Sequence, residues 1–160
     1  MPLPHLLNGV ISRNLILAWL IAAPAAAELV PFESDGCSAF PNGSLEVKKA
    51  WLSCCVVHDY DYWKGGSYEE RLASDRRLEQ CVSEVGEPEL AILMLVGVRV
   101  GGTPFLPTTF RWGYGWSNPR FYTPLTKEEK ETVLAQNEPN ESIKRESQRL
   151  GQKAEWYEQF

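Results

Sequence analysis

The chain has 160 residues, of which 44% are hydrophobic and 23% are charged, and its formal net charge is −5. This composition is that of an ordinary globular protein, and it excludes a disordered or collagen-like chain. The acidic balance gives no sign of a basic surface for nucleic acid. No apolar run reaches the ~20 residues that a membrane-spanning helix needs.

The first 27 residues have the pattern of a secretory signal peptide. An apolar run at residues 15–23 follows Arg13, and Pro24 separates it from three alanines. This pattern favours a cleaved export signal at residues 1–27 over a buried N-terminal helix. We therefore expect a secreted or periplasmic protein whose folded domain covers residues 28–125. In such a compartment, disulfides are the default state of the four cysteines.

Three helices are predicted after an N-terminal loop. The first covers residues 46–64 and ends at a pair of glycines. Ser67 and Glu70 form a capping box that starts the second, which covers residues 67–85. The third covers residues 89–100, and because it is apolar on nearly all sides we expect it to be buried.

Residues 103–122 are aromatic and rich in turn formers. If the aromatic positions alternate as in a strand, Trp112, Tyr114 and Trp116 share one face. They would then either pack on the third helix or form an interfacial patch, since Trp and Tyr favour the lipid headgroup level. Beyond them, the polar tail at residues 126–160 is expected to be partly helical.

Two stripes of chemically distinctive side chains run along the first predicted helix. Residues four apart on a helix share a face, so Cys54 and His58 form one stripe and Cys55 and Asp59 form another. On the second helix, Asp75 lies in an otherwise apolar stripe. A carboxylate in that position is costly unless it has a polar or charged partner.

The pairing of the cysteines decides which of these side chains meet. If the two helices pack antiparallel, a Cys54–Cys81 bridge places the aspartate of the second helix beside the histidine of the first. Cys37 and Cys55 would then form the other bridge and bring Asp35 towards the second stripe, where carboxylates and loop carbonyls would suit calcium. Pairing Cys37 with Cys54 instead would separate these groups, and a zinc site built from the cysteines and the histidine is a further alternative.

The motif Cys-Cys-x-x-His-Asp-x-x-Tyr at residues 54–62, followed by Asp75 and then Cys81, resembles the secreted phospholipases A2. The loop at residues 35–37 is most similar to that of the short bacterial members. The resemblance covers residues 34–82. Together with the helix pattern, it implies a mainly α fold: two disulfide-linked antiparallel helices with a calcium loop, a further buried helix, and a small irregular or β aromatic segment.

The resemblance also implies a catalytic mechanism. His58 would be the general base that takes a proton from water, Asp75 would orient its imidazole, and Tyr62 would hydrogen-bond to Asp75. The protein would then be a secreted, calcium-dependent phospholipase A2 that hydrolyses the sn-2 acyl ester of glycerophospholipids. Its substrate would be a phospholipid membrane surface or a micelle, and no nucleic-acid partner is expected.

The resemblance implies that calcium is bound by Asp59, by the Asp35 side chain and by the Gly36 carbonyl. The loop lacks the glycine-rich calcium-binding sequence of the animal enzymes, and Asn42 would supply an oxygen instead. This departure leaves one alternative, a catalytically inactive phospholipase-like module of the cell envelope that binds calcium or lipid. Since almost no chain precedes the loop, the acyl-chain slot would come from the third helix and the aromatic segment.

Overall fold

The computed structural model describes residues 28–136 and 139–151, which form five helices joined by turn-rich segments. The helices are α1 (Leu52–Lys64), α2 (Tyr68–Glu84), α3 (Pro88–Gly101), α4 (Lys127–Gln136) and α5 (Pro139–Arg149). The β structure within these residues is one antiparallel bridge between Leu29 and Trp116. The mainly helical prediction is confirmed, whereas the expected signal peptide at residues 1–27 lies outside the described residues. None of the described helices is long and apolar enough to cross a membrane.

Helix α1 begins at Leu52 and not near residue 46 as predicted. The residues before it form turns that fold back on the N-terminal loop. The backbone N–H of Trp51 donates to the carbonyl of Asn42 at 3.2 Å, and its indole N–H donates to the carbonyl of Pro41 at 2.7 Å. These bonds tie the loop to the first turn of α1, so the same helix that carries His58 also anchors the loop.

Helix α2 begins where the sequence predicts. The Ser67 side chain accepts the backbone N–H of Glu70, and the Glu70 side chain accepts the backbone N–H of Ser67. This reciprocal cap satisfies two of the N–H groups that a helix start leaves without a partner.

Both disulfides join the predicted pairs. Cys54 in α1 is bonded to Cys81 in α2, and Cys37 in the loop is bonded to Cys55 in α1. Helices α1 and α2 are therefore covalently joined, and a second bond fixes the loop on the neighbouring stripe of α1.

Helix α3 is much more exposed than predicted. It packs mainly against α2, and only Ala91 and Met94 are buried along its length. The opposite face is apolar and more than half exposed, and it consists of Ile92, Leu93, Val96 and Val100. The prediction of a buried helix is wrong because an apolar sequence does not ensure a second packing partner.

The aromatic segment contributes to the core and forms turns where a strand was considered. Trp112 is 1% exposed and Trp116 is 3% exposed, and their indole N–H groups donate to the carbonyls of Gly66 and Lys64. Tyr114 is partly buried, and its hydroxyl donates to a backbone carbonyl of the N-terminal segment. The interfacial interpretation is wrong for the two tryptophans, because neither ring can reach a lipid surface.

Helix α5 lies in the polar tail that was expected to be partly helical, and it packs against α1. Ser142, Glu146 and Ser147 are its buried residues. Buried polar groups are usually hydrogen-bonded, and the Glu146 carboxylate is, whereas the Ser147 hydroxyl has no partner among the described residues. For Glu146, those bonds lead directly to the candidate functional site.

Candidate functional site

A histidine–aspartate pair joins α1 to α2. His58 Nε2 lies 3.0 Å from Asp75 Oδ1, and both side chains are buried. A carboxylate acceptor at Nε2 favours the neutral tautomer that carries its proton there, and Nδ1 is then the nitrogen that can accept a proton. This is the arrangement of a general base with an orienting partner.

Three side chains from two helices hold Asp75, which is 0% exposed. Besides His58, the Tyr62 hydroxyl donates to Oδ1 at 2.7 Å, and Arg99 Nε lies 2.8 Å from Oδ2. The contact with Arg99 is an ion pair that lacks the alignment of a hydrogen bond. Burial, together with the charge of Asp75, raises the pKa of Tyr62 well above its usual value, so the tyrosine remains a donor.

A second arginine, Arg71, connects this pair to the end of α3. Its side chain donates to the hydroxyls of Tyr62 at 3.0 Å and Tyr122 at 2.9 Å, and to the carbonyls of Val98 and Arg99. The sequence interpretation did not identify either arginine. The available signal was a cation within or beside an apolar helix stripe, which marks a buried charge partner.

Asp59 follows His58 in sequence and faces the N-terminal loop. It is 8% exposed, and its Oδ2 accepts a hydrogen bond from the Ser34 hydroxyl at 2.6 Å. Burial raises the pKa of Asp59 well above its usual range; the bond from Ser34 lowers it, and the nearby Asp35 carboxylate raises it again. The ionised form of Asp59 is therefore disfavoured unless a cation is near.

Asp59 differs in this respect from the other buried acids of residues 28–136 and 139–151. Each of the others has cationic partners: Asp61 with Lys64 and Arg77, Asp75 with Arg99, and Glu146 with Arg145 and Arg149. Asp59 forms no ion pair with a described lysine or arginine. Since an unpaired buried charge is costly, this is the one buried carboxylate that the described fold leaves uncompensated.

The loop beside Asp59 is held by its own side chains. Gly36 has a φ of +83°, and a Cβ there would lie 2.5 Å from the Asn42 side-chain oxygen. That oxygen accepts the backbone N–H of Cys37 at 2.9 Å, so Asn42 closes the loop. Asp35 is exposed at the loop edge, where one of its oxygens accepts the Ser38 hydroxyl at 2.9 Å.

These residues fit a calcium ion by chemistry. Within the described part of the chain, no group of three or more His, Cys, Asp or Glu side chains could hold a metal ion. A cation beside Asp59 would therefore be held by two carboxylates, those of Asp59 and Asp35, and by backbone or amide oxygens of the loop. Such hard oxygen donors suit calcium, and a divalent cation would supply the charge that Asp59 lacks.

An apolar cleft of about 160 Å³ opens beside His58 and Asp59. Apolar residues of the loop, α2, α3 and the aromatic segment line it: Phe40, Leu78, Met94, Gly97, Val98 and Phe110. Gly97 is tightly fitted, because a Cβ there would lie 3.1 Å from the Phe40 ring. Helix α3 and the aromatic segment, which were expected to form an acyl-chain slot, both line this cleft, and the sequence did not indicate Phe40 or Leu78.

A second, more polar cavity of about 400 Å³ shares Asp59 and Phe110 with the cleft. Tyr114 lines it, and burial followed by the charges of Asp59 and Asp35 raises the pKa of this tyrosine well above its usual value. Asp59 thus lies between an apolar cleft on one side and a polar, acidic cavity on the other.

Comparisons of the chain with protein-family models, with curated proteins and with solved structures find no match. The function of the chain is therefore inferred from its residue geometry and from the motif at residues 54–62.

Proposed function

We propose that this protein is a secreted, calcium-dependent phospholipase A2 that releases the sn-2 fatty acid from glycerophospholipids. One observation carries the proposal: His58, which is paired with Asp75, and the uncompensated Asp59 both line the same apolar cleft. A general base, a cation site and a slot for a hydrocarbon chain are the three parts that such a reaction requires.

His58 would act as the base at Nδ1. It would take a proton from a water molecule that adds to the carbonyl carbon of the ester. The same proton would then pass to the oxygen of the leaving lysophospholipid as the carbon–oxygen bond breaks, so His58 ends neutral. Asp75, held by Tyr62 and Arg99, would fix the tautomer and stabilise the imidazolium between the two transfers. No covalent enzyme intermediate is needed.

Asp59 and Asp35 would hold the calcium ion, with the Gly36 carbonyl as a further ligand. When bound, calcium supplies a Lewis acid that polarises the ester carbonyl. Asn42 would support this arrangement by closing the loop, since its side-chain oxygen accepts the N–H of Cys37.

The apolar cleft would receive the acyl chain, and the polar cavity on the other side of Asp59 would receive the headgroup. The exposed apolar face of α3 would contact the phospholipid surface. Leu93 belongs to this exposed face, and Gly97, four residues later, lines the cleft. Residues four apart are neighbours on a helix, so the exposed face of α3 adjoins the cleft. A chain leaving the surface would reach the cleft along this helix.

Export is part of the proposal. The signal-like pattern at residues 1–27 supports it, and two disulfides are compatible with an oxidising compartment.

The test is fatty-acid release from mixed phospholipid vesicles, with labelled sn-1 or sn-2 chains, in calcium or in a calcium chelator. We expect release of the sn-2 label in calcium alone. His58→Gln should lower turnover about a hundredfold to ten-thousandfold, the usual contribution of a positioned base. Calcium binding by the variant, followed by titration calorimetry, is the control for correct folding, because His58 is not a ligand.

A His58→Gln variant with near-normal turnover would rule out this mechanism. The second candidate, an inactive module that binds calcium or lipid, is favoured by one observation. The Asn42 oxygen is engaged within the loop, which leaves fewer free ligands there. That candidate predicts calcium or vesicle binding by the wild type without any release of fatty acid.

A further inference from the structure

Ser34 is a buried junction between the candidate metal site and the C-terminal helix. Its hydroxyl donates to Asp59 Oδ2 at 2.6 Å and accepts the backbone N–H of Gly36 at 3.1 Å. The residue is 3% exposed. One hydroxyl therefore fixes the orientation of the Asp59 carboxylate and the path of the loop that follows.

Two side chains of helix α5 hydrogen-bond to the backbone of Ser34. The N–H of Ser34 donates to Glu146 Oε2 at 3.1 Å, and Arg149 Nη2 donates to the carbonyl of Ser34. Arg149 Nε also donates to Glu146 Oε2 at 2.8 Å, so these two side chains are hydrogen-bonded to each other. One turn of α5 thus satisfies both polar backbone groups of Ser34.

From this geometry we infer that α5 is a clamp that sets the calcium affinity of the site, with Glu146 and Arg149 as positioning residues that act through Ser34. The inference rests on the proposed function, because it concerns the same calcium site. Neither positioning residue needs to contact the ion.

The physical reason is preorganisation. A binding loop that must be ordered when the ligand arrives binds more weakly than one already held in its bound shape. The segment 33–36 contains no helix or strand of its own, so its order depends on side-chain contacts. Glu146 can supply such a contact without adding net negative charge beside Asp59, because Arg145 and Arg149 both pair with it.

The experiment measures calcium affinity by titration calorimetry on the mature protein, with the metal alone as ligand. Glu146→Ala should raise the calcium Kd about tenfold or more. The reason is that Ser34, which orients Asp59, would lose the hydrogen bond from its N–H to a charged acceptor. Glu146→Gln should recover part of that affinity, because its amide oxygen can still accept the N–H of Ser34. If Glu146→Ala does not fold, Arg149→Met replaces it with the same expectation.

Two controls separate positioning from a general loss of stability. Val133→Ala truncates a buried side chain of α4 and should lower the melting temperature without changing the calcium Kd. In addition, Ser34→Ala and Glu146→Ala should be non-additive in their effects on the Kd, because both act through one residue.

The outcomes are distinguishable. A wild type that binds no calcium overturns the metal site of the proposed function, and the clamp with it. A wild type that binds calcium while Glu146→Ala changes the Kd by less than about twofold overturns the clamp alone. Equal weakening by Val133→Ala also overturns the clamp, since the effect would then follow stability.

Discussion

Replacing Asp59 by asparagine should stabilise the calcium-free protein, which is unusual for a buried polar residue. The asparagine side chain would keep a hydrogen bond with Ser34, while the substitution would remove a buried charge that has no cationic partner among the described residues. The loss is the difference between a charged and a neutral hydrogen bond, about 1 kcal/mol. The gain is the desolvation of an unpaired ion, several kcal/mol. We expect a net stabilisation of about 2 kcal/mol, or a rise in Tm of about 8 °C.

The sign of the pH dependence follows from the raised pKa of Asp59. The folded protein holds this proton more tightly than the unfolded chain does. The stability associated with Asp59 is therefore fully present below the unfolded pKa of about 4, and it is lost as the pH rises through the folded pKa. The Tm advantage of Asp59→Asn in a calcium chelator should grow with pH over that window and vanish in acid.

Asp61 is the matched control, because it is a buried aspartate on the same helix that has cationic partners. Although burial opposes the effect, Lys64 and Arg77 lower the pKa of Asp61 below its usual value. Its contribution is present at neutral pH and is lost as the pH falls through the lowered folded pKa. Asp61→Asn should therefore destabilise the protein by about 1 kcal/mol at neutral pH, a modest figure because Arg77 is half exposed.

The assay is thermal unfolding of the wild type and both variants in chelator and in calcium. At calcium one hundred times the Kd, the wild type should gain about 2.7 kcal/mol, and Asp59→Asn should gain little or nothing. If Asp59→Asn instead destabilises the calcium-free protein as Asp61→Asn does, the fold already compensates the Asp59 charge. Asp59 would then need no cation at this position.

Two further predictions concern the base and the cleft. Arg99→Gln should lower kcat with little change in KM, because it removes the ion pair with Asp75 and Arg99 does not line the cleft. Arg99→Lys should restore part of the lost kcat. A change confined to KM would contradict this prediction. Gly97→Leu should abolish hydrolysis of long-chain phospholipids and spare short-chain ones, because its side chain would press against Phe40 and obstruct the cleft. Equal loss on both substrates would argue that the cleft does not hold the acyl chain.

The sequence was most informative where spacing within helices determines contact. The two stripes of α1 and the position of Asp75 in α2 led to both disulfides and to the contact between His58 and Asp75. The capping box at Ser67 marked the start of α2 because it is a local signal. These features depend on the period of the helix and on one assumption, that the first two helices pack antiparallel. Few alternative structures were therefore compatible with them.

Long-range features were not accessible in the same way. Nothing local indicates that Arg99 of α3 lies beside Asp75, or that Glu146 reaches Ser34 across more than a hundred residues. The exposure of α3 was misjudged for the same reason, and the sequence left open whether Trp112 is packed or interfacial. Hydrophobicity predicts that a side chain tends to be buried, but the arrangement of other elements decides whether a partner covers it.

The geometry also divides the candidate site into two independently supported halves. His58 faces a network built by α2 and α3, whereas Asp59, the next residue, faces a network built by the N-terminal loop and α5. Although His58 and Asp59 line the same cleft, the described hydrogen bonds of the two networks share no side chain. A change in one network should therefore leave the other intact. The double variant Arg99→Gln/Glu146→Ala should lose as much kcat as Arg99→Gln alone and as much calcium affinity as Glu146→Ala alone. A much larger or smaller loss of either quantity would show that α1 transmits strain between the base and the metal site.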